Sequence, residues 1–155
     1  MFLKIKIMPK KKKVLEYYYY DACALEGERA FDEIINKKIP NAILSHLSLG
    51  EAYGVCLTKG EEKSKSFIEL IDKINSYIKI VSNDNIDNIF EVVRDEVPRL
   101  SITDAIHFAT AIKYKCKNLR TLDGDLKGIN REKVLLVSNK FNVSAFSISS
   151  IPSRK

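Results

Sequence analysis

Apolar residues along the chain switch between a period of two and a period near 3.6, and each switch marks an element. VLEYYYY (14–20) is a run of β-branched and aromatic residues broken only by Glu16, which predicts a strand. GERAFDEIINKK (27–38) sets Phe31, Ile34 and Ile35 on one helical face and is closed by Pro40, after which NAIL (41–44) reads as a second strand. SHLSLGEAYGVCLTKG (45–60) and EEKSKSFIELIDKINS (61–76) predict two helices, the first stopping near Gly60, and YIKIV (77–81) alternates as a third strand. IDNIFEVVRDEV (86–97) predicts an amphipathic helix closed by Pro98, and SITDAIHFATAIKYKC (101–116) carries the stripe Ile102, Ile106, Ala109, Ile112. NLRTL (118–122) and VLLV (134–137) read as the fourth and fifth strands, and the serine-rich end beyond 141 reads as a frayed tail. Strands alternating with helices predict an α/β fold with a largely parallel sheet covered on both faces. In such sheets, sites collect beyond the carboxyl ends of strands where the strand order reverses.

At 155 residues the chain suits one domain with one core. The expected division is a basic tail at 1–13, a domain at 14–140 and a C-terminal tail at 141–155. No apolar stretch approaches the ~20 residues a bilayer span requires, so a cytoplasmic protein without membrane attachment is expected. Cys23, Cys56 and Cys116 are odd in number and form no CxxC pair, which excludes a disulfide framework and a thiolate zinc site.

The chain holds 26 basic and 20 acidic residues, and the six lysines within 1–13 account for the whole excess. PKKKKV also fits a nuclear-import peptide or a phosphate-binding arm. Within the body, Ile112 to Lys140 is the basic stretch, and Lys113, Lys117 and Arg120 are its candidate contacts to the phosphates of a nucleic acid.

Four acids occupy places where chemistry collects. Asp21 follows the first strand, Glu51 and Asp104 lie early in helices, and Asp123 follows the fourth strand with Asp125 behind it. Each has a plainer use. Ser48 to Glu51 and Ser101 to Asp104 fit the capping box, Asp123-Gly124 is a turn dipeptide, and an aspartate at a strand end commonly turns the chain.

At YYYYDAC, SHLSLGEAYGV, SITDAIHFATA and LRTLDGD the chain resembles the PIN-domain ribonucleases, including the VapC-type toxins, over roughly Val14 to Val137. The resemblance implies a three-layer α/β/α fold with a mainly parallel five-stranded sheet of order 3-2-1-4-5. Strands one and four are then neighbours, and Asp21 and Asp123 face one cleft. It implies a metal-dependent endoribonuclease that cleaves RNA to leave a 5′-phosphate and a 3′-hydroxyl, set in a toxin-antitoxin pair. An antitoxin protein and a second copy of the chain are its candidate partners. Asp21, Glu51, Asp104 and Asp123 are the implied catalytic and metal-binding residues, Asp125 supports a second metal position, and Thr121 matches a hydroxyl that faces metal or RNA. Cys23 stands where the family has serine, threonine or asparagine. His107 either packs beside the apolar stripe or orients a carboxylate, and His46 is read as structural.

Such a set needs a cation, because converging carboxylates repel one another and protonate unless one is present. Oxygen ligands select Mg²⁺ or Mn²⁺. Two other readings fit less well. A non-catalytic RNA-binding scaffold, unlike a PIN nuclease in RNA processing, has no use for all four acids. A phosphotransfer receiver domain leaves Glu51 and Asp104 unexplained.

Overall fold

The structure, a computed structural model, describes residues 16–25, 27–36 and 41–151. The lysine-rich start, Val14, Leu15 and Pro40 lie outside them. The elements in order are β1 (Tyr18–Tyr20), α1 (Glu28–Ile35), β2 (Ala42–Ser45), α2 (His46–Thr58), α3 (Glu61–Ile74), β3 (Ile78–Val81), α4 (Asp87–Glu96), α5 (Ile102–Lys113), β4 (Asn118–Arg120), α6 (Gly124–Lys127), α7 (Arg131–Lys140) and β5 (Ser147–Ser149). The sheet runs β3-β2-β1-β4-β5 with every pairing parallel. The strand order reverses at β1, where Tyr20 lies between Leu44 of β2 and Arg120 of β4. Among the described residues no helix is long and apolar enough to cross a membrane.

Alternation along β1 assigns its side chains to two cores. Tyr19, with Ile43 and Leu119, packs under α4, α5 and α7 against Val93, Phe108 and Val137. Tyr20, with Ala42 and Leu44, packs under α1, α2 and α3 against Phe31, Ala52 and Phe67. Both faces of the central strands are therefore covered. This is why they read as continuous apolar runs rather than alternating ones.

Two expectations are corrected. VLLV forms part of α7, not a strand: Val134 and Val137 are buried while Leu135 and Leu136 are 41% and 39% exposed. Four apolar residues in a row carry no period of their own, and the helix is set by its flanks, where Asn130 Oδ1 accepts the Glu132 N–H at 2.8 Å. The serine-rich end is not a tail from 141 but supplies the fifth strand. Asn142 takes a left-handed φ of 54° after α7, and the Val143 N–H reaches the Ser138 carbonyl at 3.2 Å, so the chain turns back. Phe146 then seats edge-on against Phe108, ring centroids 4.9 Å apart. The serines satisfy the sheet edge: Asn118 Nδ2 donates to Ser147 Oγ at 2.9 Å, and Ser149 Oγ donates to Asn118 Oδ1 at 2.9 Å.

Candidate metal centre at the carboxyl edge of the sheet

β1 and β4 end side by side, so the residues that follow them share one edge. Asp21 is 1% exposed. Its Oδ1 accepts the Ala24 N–H at 3.0 Å, and its Oδ2 accepts the Thr121 hydroxyl at 2.5 Å. The Cys23 thiol lies 3.3 Å from both oxygens, so it fills the hydrogen-bonding place a hydroxyl would take. Burial raises the Asp21 pKa, opposed in order by the bonds from Thr121 and Ala24. Burial beside that carboxylate also pushes the Cys23 thiol up to about 11, which keeps it a thiol at neutral pH.

Thr121 joins the two strand ends. While donating to Asp21, its Oγ1 accepts the Asp123 N–H at 2.9 Å. Asp123 caps α6, and its Oδ1 takes both cap bonds, from Asp125 N–H at 2.7 Å and Leu126 N–H at 3.0 Å. Its plain role as a turn and cap residue is therefore real, but neither cap bond uses Oδ2. α5 enters from the opposite side. Ser101 caps it by accepting the Asp104 N–H at 3.1 Å, which aims the Asp104 side chain from the first turn.

Asp104, Asp123 and Asp125 each offer a carboxylate oxygen within 4.8 Å of the others. The Asp104 pKa is raised, first by burial and then by the charge of Asp123. Asp125 is the exposed member, 3.8 Å from Arg99 Nη1. Three hard oxygens converging on one point, at least one of them reluctant to ionise alone, fit a divalent cation such as Mg²⁺ or Mn²⁺.

Two predicted residues reach the site indirectly: among the described residues, Asp21 and Glu51 lie outside this trio. Asp21 is tied to it through Thr121. Glu51 belongs to α2, whose cap is Ser45 rather than Ser48: Ser45 Oγ accepts the Ser48 N–H at 3.1 Å, so Glu51 is not a capping-box partner. Glu51 Oε1 instead lies 2.9 Å from His107 Nε2. His107 is 2% exposed, and its Nδ1 is 2.6 Å from Tyr19 Oη, so it is both packed and bonded to a carboxylate. His46 is exposed.

The predicted RNA contacts are dispersed. Lys113 ends α5, nine residues from Asp104 or ~14 Å along the helix, and its Nζ donates to the Asp84 carbonyl at 2.5 Å, past the end of β3, while Lys117, directly before β4, lies at the amino edge of the sheet. Lys117 pairs there with Glu16 at 2.9 Å. Arg120 is occupied inside the fold: its Nε and Nη2 donate to Glu33 at 3.1 and 3.3 Å and its Nη1 to Ser149 Oγ, and its guanidinium lies 5.1 Å from the Tyr18 ring centre. Tyr20 Oη also donates to Glu33. Sequence reading missed the roles of Tyr19, Ser45 and Arg99. The signal for Tyr19 was its place two residues before Asp21, for Ser45 its place at a strand-to-helix junction.

A family model described as the PIN domain matches residues 18–132. No curated protein sequence matches the chain significantly. Among solved structures, PAE2754 from Pyrobaculum aerophilum is similar at a TM-score of 0.58 and 21% identity, covering 82% of this chain and 98% of that one. The sarcin-ricin loop cleaving toxin VapC20 from Mycobacterium tuberculosis is similar at a TM-score of 0.53 and 18% identity, covering 70% and 92%. VapBC2 from Rickettsia felis, bound to a DNA fragment from its promoter, is similar at a TM-score of 0.58 and 11% identity, covering 86% and 98%. With the family model spanning β1 to β4 and the acids Asp21, Glu51, Asp104, Asp123 and Asp125, and with the sheet in the order expected of that family, the chain belongs to the PIN domain family.

Proposed function

We propose that the protein is a Mg²⁺- or Mn²⁺-dependent endoribonuclease that hydrolyses RNA phosphodiester bonds to leave a 5′-phosphate and a 3′-hydroxyl, and that it acts as the toxin of a toxin-antitoxin pair. The observation that carries this reading is the convergence of Asp104, Asp123 and Asp125 within 4.8 Å, beside the strand-order reversal where α/β sheets place their sites. PIN domains are in general nucleases, and they generally use divalent metals. Two fold relatives support the toxin setting by their names, one a toxin cleaving the sarcin-ricin loop and one a VapBC assembly on promoter DNA.

Asp104, Asp123 and Asp125 would hold the ion, with Asp21 supporting them through Thr121. When bound, the ion supplies Lewis acidity toward the phosphodiester and a source of activated water. Glu51, with Oε1 fixed by His107, uses Oε2 to take a proton from the attacking water. Ser101 and the α6 backbone N–H groups keep Asp104 and Asp123 aimed inward. RNA, an antitoxin protein and a second copy of the chain are the proposed partners.

The test is cleavage of a labelled single-stranded RNA in EDTA, Mg²⁺ and Mn²⁺. Wild type should cut only with metal, and Asp104→Asn and Asp123→Asn, folded by circular dichroism, should each lose on the order of a thousandfold in rate. Double mutants should be scarcely slower than singles, because the carboxylates act as one unit. Near-normal cleavage by folded single mutants would refute the reading.

A further inference from the structure

We infer that Tyr19 and His107 are positioning residues of the proposed nuclease: a hydrogen-bond chain of fixed direction, from Ser45 through Tyr19 and His107 to Glu51, holds that carboxylate in place. The inference rests on the function proposed above and adds residues outside the acidic set.

Proton accounting sets the direction. Glu51 as a carboxylate only accepts, so at 2.9 Å His107 Nε2 is the donor. With a single ring proton, on Nε2, the imidazole accepts at Nδ1 and Tyr19 Oη, 2.6 Å away, is its donor, and this is the arrangement we infer. The tyrosine oxygen must take its own bond from a serine. Ser48 Oγ gives its single proton to the Tyr20 carbonyl at 2.7 Å, leaving Ser45 Oγ, 2.8 Å away, as the donor to Tyr19. Ser45 Oγ in turn accepts the Ser48 N–H at 3.1 Å. Each group is thus used once, and one tautomer satisfies all of them.

Placement supports a role beyond packing. Tyr19, Ser45, Ser48 and His107 are at most 2% exposed, so the chain of bonds is shielded from water until it reaches Glu51, whose side chain is 35% exposed. It joins β1, the start of α2 and the second turn of α5, the same α5 whose first turn carries Asp104. Burying four polar groups to hold one half-exposed carboxylate is costly unless its orientation matters.

The test begins with the metal-free full-length protein. In nitrogen-15 spectra of the imidazole, His107 should show one neutral tautomer with its proton on Nε2, and Glu51→Ala should move that nitrogen's signal. Tyr19→Phe and His107→Phe, checked for folding by circular dichroism, should each lower kcat on a labelled RNA by roughly 10- to 100-fold. KM and the Mn²⁺-induced rise in melting temperature should stay unchanged. His107→Gln, whose amide can still donate toward Glu51, should recover most of the rate, a rescue that filling space does not explain. An Nδ1–H tautomer would overturn the inference, as would full turnover in folded Tyr19→Phe and His107→Phe proteins while Asp104→Asn remains inactive. Full turnover in Asp104→Asn as well would remove the nuclease reading and the inference with it.

Discussion

Replacing Asp104 by asparagine should stabilise the metal-free protein and destabilise it relative to wild type once metal is added. Two carboxylate oxygens at the 4.8 Å outer limit of the trio would repel by ~0.9 kcal/mol in a water-like medium and ~3.5 kcal/mol at an effective dielectric of 20. For Asp104 the main like charge is Asp123, with a smaller one from Asp21, while Asp125 is exposed and faces Arg99. Relief of ~1 to 3 kcal/mol is offset by ~0.3 to 1 kcal/mol, because an anion in the first turn of α5 favours the helix dipole. The bond from the Asp104 N–H to Ser101 involves the backbone and survives the change. The net gain of roughly 0 to 2.7 kcal/mol corresponds to a melting temperature up to about 11 °C higher for a domain of this size. With Mn²⁺ the order reverses: wild type gains about 2.7 kcal/mol at 100 times the dissociation constant, and the mutant gains far less. Differential scanning calorimetry of both proteins in EDTA and in millimolar Mn²⁺ measures all four values. A mutant that melts below wild type in EDTA, or a wild type that ignores Mn²⁺, would refute a mutually repelling, cation-binding trio.

Burial raises the Asp21 and Asp104 pKa values, so the native state binds more protons than the unfolded chain between about pH 4 and those raised values. Metal-free stability from these groups should therefore fall as pH rises through that window, and Mn²⁺ should oppose the fall; denaturant melts across pH check it. Arg120→Ala strands Glu33, which is 6% exposed, and should cost ~3 to 5 kcal/mol in urea unfolding. Phe146→Ala empties the site against Phe108 and should cost a similar ~3 to 5 kcal/mol, whereas a true tail from 141 would show almost no change. Charge reversal at Lys113, held on the Asp84 carbonyl, and at Lys117, paired with Glu16, should leave cleavage of a short RNA nearly unchanged, measured as kcat/KM at low salt.

The sequence by itself determined what local periodicity and local chemistry can carry. Phe31 with Ile34, and Phe67 with Ile74, mark their helices without any tertiary partner, since an amphipathic stripe needs only the 3.6-residue period. Ser101 before Asp104 marks a helix start for the same reason. Strands alternating with helices gave a largely parallel sheet, whereas its order came only through the resemblance to PIN domains that the acids and their flanking residues carry. Tertiary structure decided the rest. VLLV and SAFSIS compete for the fifth strand place, and burial of Phe146 against Phe108, with serines satisfying the edge beside Asn118, settles it in favour of the serine-rich segment. Asp125 joins Asp104 and Asp123, while Asp21, whose oxygens accept from the Ala24 N–H and the Thr121 hydroxyl, lies outside the trio. Lys113 and Asp104 are close in sequence, yet α5 separates them by nine residues at 1.5 Å of rise, or ~14 Å, and Lys113 ends on the Asp84 carbonyl rather than among the acids. Contacts of this kind depend on direction and distance in three dimensions, which a residue's neighbours in the chain do not encode.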